Sequence, residues 1–286
     1  MKRMIRLIFC LGLVLLAGGF LEIKYEMFSS YMKWDMSEEE KNAYVEKLRE
    51  GMLNGEEIIE LTYIGSGEDI EEFVVESITN AFKIDKKNTS SDGDYMRYIH
   101  KASHVSMTGY GRKYKVIYEM QYLETKEQTE ETHKMVKKVL EEMNIEKLSD
   151  YEIIKKVHDY VINHTNYDMS TSLNSPYYAM VKGSSACQGY AVLIYKMLTE
   201  AGVPCRVVTG TAQGGLHAWN IVKVEGKWYN LDATWDDPVG LFGDSNMRYQ
   251  FFLKSDMDNK EHVKDKEFVS ESFLNKYPMA MSSYVG

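Results

Sequence analysis

The stretch that decides the fold runs from 182 to 238. It holds Lys182-Gly183-Ser184-Ser185-Ala186-Cys187-Gln188-Gly189-Tyr190, then Gly214-Gly215-Leu216-His217-Ala218-Trp219-Asn220, then Gly226-Lys227-Trp228-Tyr229-Asn230-Leu231-Asp232-Ala233-Thr234-Trp235-Asp236. Small and polar residues give way after Cys187 to an apolar face at helical spacing, Tyr190, Ala191, Ile194, Met197, Leu198 and Ala201. Gly202 and Pro204 end that helix. Cys187 therefore falls in its first turn. Unpaired N–H groups and the helix dipole favour an anion there, and the thiolate is the nucleophilic form of cysteine. A merely buried thiol would gain nothing from the position. A disulfide to Cys205 is disfavoured by length. Residues 188–201, if helical, rise about 21 Å, and a disulfide holds its Cα atoms within about 7 Å.

A nucleophilic thiol needs a base, and the base needs an orienting group. The next histidine is His217. From Ala218 to Val224 the chain reads as a strand, Glu225-Gly226 as a turn, and Lys227 to Trp235 as the returning strand. A two-residue loop pairs Val224 with Lys227 and brings Asp232 opposite Trp219. His217, two residues from Trp219, then shares a face with Asp232 as a diagonal neighbour. A one-residue change in the loop would separate them, so the spacing leaves Asp236, Asp237 and Asn220 as rival third members.

These three motifs, in this order and spacing, resemble the core of the transglutaminase-like superfamily, the papain-like fold also used by thiol peptidases, in its bacterial secreted form. The resemblance covers about 127–238. It extends more loosely through Asn166-Tyr167-Asp168 and Tyr249-Gln250-Phe251-Phe252-Leu253. It implies an α+β fold: a helix bearing the nucleophilic Cys packed on an antiparallel sheet bearing His and Asp, preceded by a small α/β region. By that match Cys187 is the nucleophile, His217 the general base and Asp232 the orienter. The implied chemistry is acyl transfer from a peptide or carboxamide through a Cys thioester. Water as acceptor gives a peptidase or amidase, and an amine gives a transglutaminase. The backbone N–H of Cys187 is the natural first oxyanion donor, with Gln188, Trp219 and Asn220 as supporting candidates. Trp219, Trp228 and Trp235 are candidates to line a cleft. Gln188-Gly189-Tyr190 departs from the Trp-rich context of animal cross-linking enzymes, and no calcium loop is visible, so their substrate preference does not carry over.

The mechanism requires no cofactor. No H-E-x-x-H or C-x-x-C occurs, and His100 and His104 lack a carboxylate at matching spacing, so no metal site is expected. The expected partner is a peptide or protein substrate, a cell-wall peptide among the classes left open. The competing reading is a non-catalytic binding or scaffold protein that keeps the fold, and retention of all three residues favours the enzyme.

The remaining chain frames this core. Lys2, Arg3 and Arg6 precede an apolar run from Leu7 to Leu21, about 15 residues against the roughly 20 that span a bilayer. Residues 1–29 read as a signal peptide or an uncleaved membrane anchor, and the rest as extracytoplasmic, secreted or anchored. A formal net charge of -9 argues against a nucleic-acid partner. Three cysteines are too few for a disulfide framework or a cysteine-rich zinc module. Residues 30–125 read as an N-terminal α/β region without evident chemistry. It contains a capping box at Ser37, a strand at Glu57–Ile64, a helix at Ile70–Ile84, a polar loop at Lys86–Asp94, and a hairpin of Tyr95–Thr108 with Lys113–Leu123. Residues 126–286 read as the transglutaminase-like catalytic domain that the resemblance implies. The spacing predicts a long helix over Glu124–Asn144, and a capping box at Ser149 opens another that buries Ile153, Ile154, Val157 and Val161. His133, His158 and His164 read as structural. Asn163-His164-Thr165 fits a glycosylation sequon. Tyr249–Leu253 reads as a final strand, and 255–286 carries no motif.

Overall fold

The computed structural model describes residues 35–84, 93–237 and 248–285. The expected signal or anchor segment, residues 1–29, lies outside them, as does most of the polar loop expected at Lys86–Asp94. Among the described residues no helix is long and apolar enough to cross a membrane. The chain divides into two compact units. One takes the residues up to Ile84 and His100–Tyr122; the other takes Asp85–Ile99 and Leu123–Gly286.

The first unit contains α1 (Glu38–Leu53), β1 (Ile58–Ile64), α2 (Ile70–Lys83), β2 (His100–Tyr110) and β3 (Lys113–Tyr122). Ser37 opens α1 by the expected reciprocal cap: its Oγ accepts from the Glu40 N–H at 3.2 Å, and the Glu40 carboxylate accepts from the Ser37 N–H at 2.8 Å. The antiparallel sheet has the order β1-β3-β2. Leu48, Met52, Ile59, Tyr63, Val74 and Tyr118 form its core.

The second unit begins with a departure from the sequence reading. Gly93–Ile99 is a helix, α3, and the strand starts only at His100. The β-rich composition of this stretch is overridden by tertiary anchors. Arg206 donates to both oxygens of buried Asp94 at 2.7 and 2.8 Å, and the Val207 N–H donates to Asp94 at 2.8 Å. Tyr95 donates to Glu124 at 2.7 Å. Strand propensity is context-dependent, and here context wins.

After α3 come α4 (Lys126–Met143), α5 (Asp150–His164), the short strands β4 (Asn166–Tyr167) and β5 (Ser184–Ser185), and α6 (Cys187–Glu200). Thr125 and Ser149 cap α4 and α5 with full capping boxes. Every residue of α6 from Gly189 to Thr199 is buried, so α6 is a central core helix rather than an amphipathic surface one. The antiparallel sheet consists of β6 (Cys205–Ala212), β7 (Gly215–Val224), β8 (Lys227–Leu231) and β9 (His262–Lys264), in the order β8-β7-β6-β9. On one face Asn220 reaches α6, donating to the Ala191 carbonyl at 2.9 Å. On the other, Val208, Trp219, Ile221 and Trp228 pack with Phe268 and Tyr277.

The β7–β8 register is the one the two-residue turn dictates, Val224 with Lys227 through Asn220 with Leu231. Glu225 and Gly226 both take positive φ, 49° and 84°, as a tight hairpin turn matched to strand twist requires. Tyr249–Leu253 forms no strand. It is held by bends, with the Phe251 N–H donating to Asp236 at 2.8 Å. The fourth strand is instead β9, and Gly210 admits it: a Cβ there would lie 2.0 Å from the Val263 carbonyl oxygen. The α+β expectation holds.

Removing the cation from Asp94 leaves a buried charge unpaired, which costs about 3–5 kcal/mol. Arg206→Ala is expected to lower the urea midpoint accordingly with an unchanged m-value. Adding Asp94→Ala to that variant should recover part of the loss, because the orphaned charge is gone.

Candidate active site

The start of α6 is fixed from both sides. β4 and β5 pair in parallel immediately before Ala186, and the Ala186 N–H donates to the Leu173 carbonyl at 2.7 Å. Ala186 is the N-cap and offers no side-chain cap, so the first N–H groups of α6, that of Cys187 included, have no intrahelical partner. Gly189 is required by close approach: a Cβ there would lie 1.9 Å from Ser185 Oγ and 2.7 Å from the Ser175 carbonyl oxygen. Cys187 is partly exposed and Cys205 buried, and both are free thiols. Burial pushes the Cys205 thiol well up, which makes it the inert member of the pair.

His217 enters from β7 and Asp232 from the end of β8. His217 Nε2 donates to Asp232 Oδ2 at 2.6 Å, with the carboxylate almost wholly buried. Asp232 Oδ1 accepts from the Thr234 and Trp235 backbone N–H groups at 2.9 and 3.2 Å. Because Nε2 faces Asp232, the nitrogen left for Cys187 is Nδ1. Burial opposes charge on the His217 ring. The negative charge and hydrogen bond of Asp232, then the hydrogen bond and charge of Cys187, outweigh it and raise the imidazole to about 10. Burial likewise opposes charge on Asp232, yet His217 and then His262 hold its carboxyl well below the usual range. At neutral pH the pair is imidazolium and carboxylate.

The rival third members point elsewhere. Asp236 accepts from His158 Nε2 at 3.0 Å, Asp237 accepts from the Tyr190 hydroxyl at 2.8 Å, and Asn220 ties β7 to α6. The supporting candidates are also committed. The Gln188 side-chain amide donates to the Tyr98 carbonyl at 2.7 Å, and the Trp219 indole donates to Asn230 at 3.1 Å. Trp219, Trp228 and Trp235 are all buried. Trp219 stacks on the His217 ring at 5.8 Å and Trp235 lies 5.7 Å from it, so these two shield the imidazole instead of lining an open cleft. His158 is wholly buried between Asp159 and Asp236, and His164 is tied to the Met180 carbonyl at 2.7 Å.

Two neighbours went unassigned in the sequence. Tyr167, next to the start of α6, is raised first by burial and then by the charges of Cys187, Asp168 and Asp232. His262 on β9 donates through Nε2 to Asp232 Oδ2 at 2.8 Å. Nothing in the polar run Glu261-His262-Val263-Lys264 signals this, since only the β6–β9 pairing delivers it. Ligand atoms of His217, Asp232 and His262 lie within 4.8 Å of one another, a donor set that a divalent ion could use. The N–O separations are nevertheless those of hydrogen bonds. His262 Nδ1 also lacks the partner that usually orients a metal-bound imidazole.

Part of the chain is similar to known proteins. The family model of the transglutaminase-like superfamily matches residues 137–233. The match takes in the start of α6, His217 and Asp232. Kyphoscoliosis peptidase of Mus musculus is 29% identical over 121 residues, 36% of this chain and 18% of that protein. The Homo sapiens protein of that name is 30% identical over 105 residues, 30% of this chain and 16% of its own length. The chain thus spans less than a fifth of these relatives. Among solved structures, a TGase aligns at 20% identity over 47% of this chain and 44% of its own, with a TM-score of 0.35. Legionella pneumophila LapG aligns at 17% over 38% and 64%, with a TM-score of 0.28.

His217 has a stability signature. Its folded-state pKa lies above the ordinary 6.5, so its contribution is complete below 6.5 and is lost as pH rises through about 10. Urea unfolding is expected to show stability falling across that window, with a shallower fall in His217→Ala.

Proposed function

We propose that this protein is an acyl-transfer enzyme working through a Cys187 thioester on peptide or carboxamide bonds. The observation that carries the reading is the bond from His217 Nε2 to Asp232, which leaves Nδ1 for a thiol at the start of α6. The Cys187 thiolate adds to the carbonyl carbon, and the carbonyl π pair moves to oxygen. The oxyanion forms beside the unpaired N–H groups that open α6. Collapse breaks the C–N bond, and the departing amine takes the proton from His217 Nδ1. The thioester remains with a neutral imidazole. Water or an incoming amine then attacks, gives its proton to Nδ1, and expels the thiolate, restoring the ion pair. Asp232 stays ionised throughout and keeps the ring in one orientation.

With water the products are a carboxylic acid and an amine; with an amine acceptor they are a new amide and the released amine. Both outcomes use the same residues, and the acceptor is chosen by how the site admits water. A peptide or protein substrate fits either, a cell-wall peptide among them. The charged and then apolar N-terminal run supports action outside the cytoplasm, secreted or anchored.

Iodoacetamide labelling read by mass spectrometry tests the nucleophile, with buried Cys205 as internal reference. Cys187 is expected to alkylate faster than Cys205 at neutral pH and to slow in His217→Ala. Cys187→Ala should keep the fold and lose all turnover of any amide substrate. Equal labelling of both thiols, indifferent to His217, would remove the basis of the reading. Turnover should fall on the alkaline side as pH passes about 10, where the imidazolium is lost, and Asp232→Asn should move that limb down.

A further inference from the structure

We propose that His262 is a positioning residue of this site: it is the second N–H donor to Asp232 Oδ2 and holds the carboxylate in the orientation it presents to His217. The inference rests on the thiol-enzyme reading above.

Asp232 has two distinct sides. Oδ1 is fixed by the backbone of its own turn, through Thr234 and Trp235. Oδ2 faces two imidazoles, His217 at 2.6 Å and His262 at 2.8 Å. The His262 side chain is wholly buried, with Trp235, Trp219, Phe251 and His217 around it at centroid distances of 4.6, 5.0, 5.4 and 5.4 Å. An apolar ring would suit that box better, because His262 Nδ1 is buried there without a hydrogen-bond partner. Packing alone therefore gives no reason for an imidazole. What the imidazole adds is Nε2–H, aimed at the one oxygen on which His217 depends.

The reaction gives that donor a task. His217 alternates between imidazolium and neutral imidazole, and its bond to Asp232 weakens whenever it is neutral. His262 takes no part in the proton transfer and keeps Oδ2 occupied through that stage, so the carboxylate is still in place when His217 recovers its proton. The fold delivers His262 through a close approach of strands: β9 lies against Gly210 of β6, directly opposite His217 on β7. The other titratable groups acting on the cluster are Cys187 on His217, Tyr167 beside Cys187 and Asp232, and Asp236.

The test is the pH profile of iodoacetamide alkylation of Cys187 in the full chain, for wild type, His262→Phe, His262→Gln and the control His217→Ala. His262→Phe keeps the ring volume and loses the donor; it is expected to slow alkylation on the order of tenfold and to shift the profile. His262→Gln restores an N–H near the Nε2 position and is expected to recover most of the rate. If the phenyl ring overpacks, His262→Met removes the donor with less rigidity and is read in the same way. A wild-type rate and profile in the donor-less variants overturns the positioning role, as does a Gln variant no better than Phe, since both mark His262 as packing only. Those results leave the thiol-enzyme reading standing if His217→Ala is slow. If His217→Ala alkylates like wild type, the enzyme reading falls and this proposal with it.

Discussion

A carboxylate with almost no exposure must be compensated, and the site is arranged around that requirement at Asp232. Unpaired, a charge in this position would cost several kcal/mol. Four N–H groups remove the penalty: two from the turn that follows β8, one from β7 and one from β9. The consequence is mutual dependence. The β7–β8 hairpin, the edge strand and the turn must all be formed before Asp232 has its full set of donors. His217 and His262 favour the ionised carboxyl, and the carboxylate in turn favours the protonated His217 ring. Stability and chemistry meet in one side chain.

The nucleophile is held by a separate set of constraints. α6 is locked in depth by Gly189 against Ser185, in rotation by the Gln188 bond to Tyr98, and in distance from β7 by the Asn220 bond to Ala191. These contacts are structural. Their effect is to fix where the α6 N-terminus ends relative to His217. α3 contributes directly, since it carries Tyr98 and is itself pinned by Asp94 to Arg206.

The chain holds a second buried imidazole–carboxylate pair, and the contrast is instructive. His158 donates to Asp236 at 3.0 Å, as His217 does to Asp232. Its other nitrogen faces Asp159, however, and its ring is enclosed by Tyr249 and Phe252. Both nitrogens are engaged, so this pair is a strut joining α5 to the segments on either side of residues 238–247. The two pairs share their chemistry and differ in what lies beyond the second nitrogen.

The helix that begins at Cys187 was legible from its apolar spacing and its Gly-Pro ending. The place of Asp232 relative to His217 was legible from the two-residue turn, because strand register follows from loop length. Both are local facts, set by periods of a few residues. The capping boxes at Ser37 and Ser149 belong with them. What lies at Gly93–Ile99, Tyr249–Leu253 and His262 was decided elsewhere. Consecutive anchors to Arg206 and Glu124 turned a strand-like sequence into α3, and Asp236 held Phe251 in a bend. His262 reached Asp232 only because a missing Cβ at Gly210 let an edge strand approach β6. The sequence by itself determined the helix, the hairpin and the spacing of thiol, imidazole and carboxylate. Tertiary structure alone decided which groups complete the carboxylate, because hydrogen bonds between residues thirty positions apart leave no periodic trace in the chain.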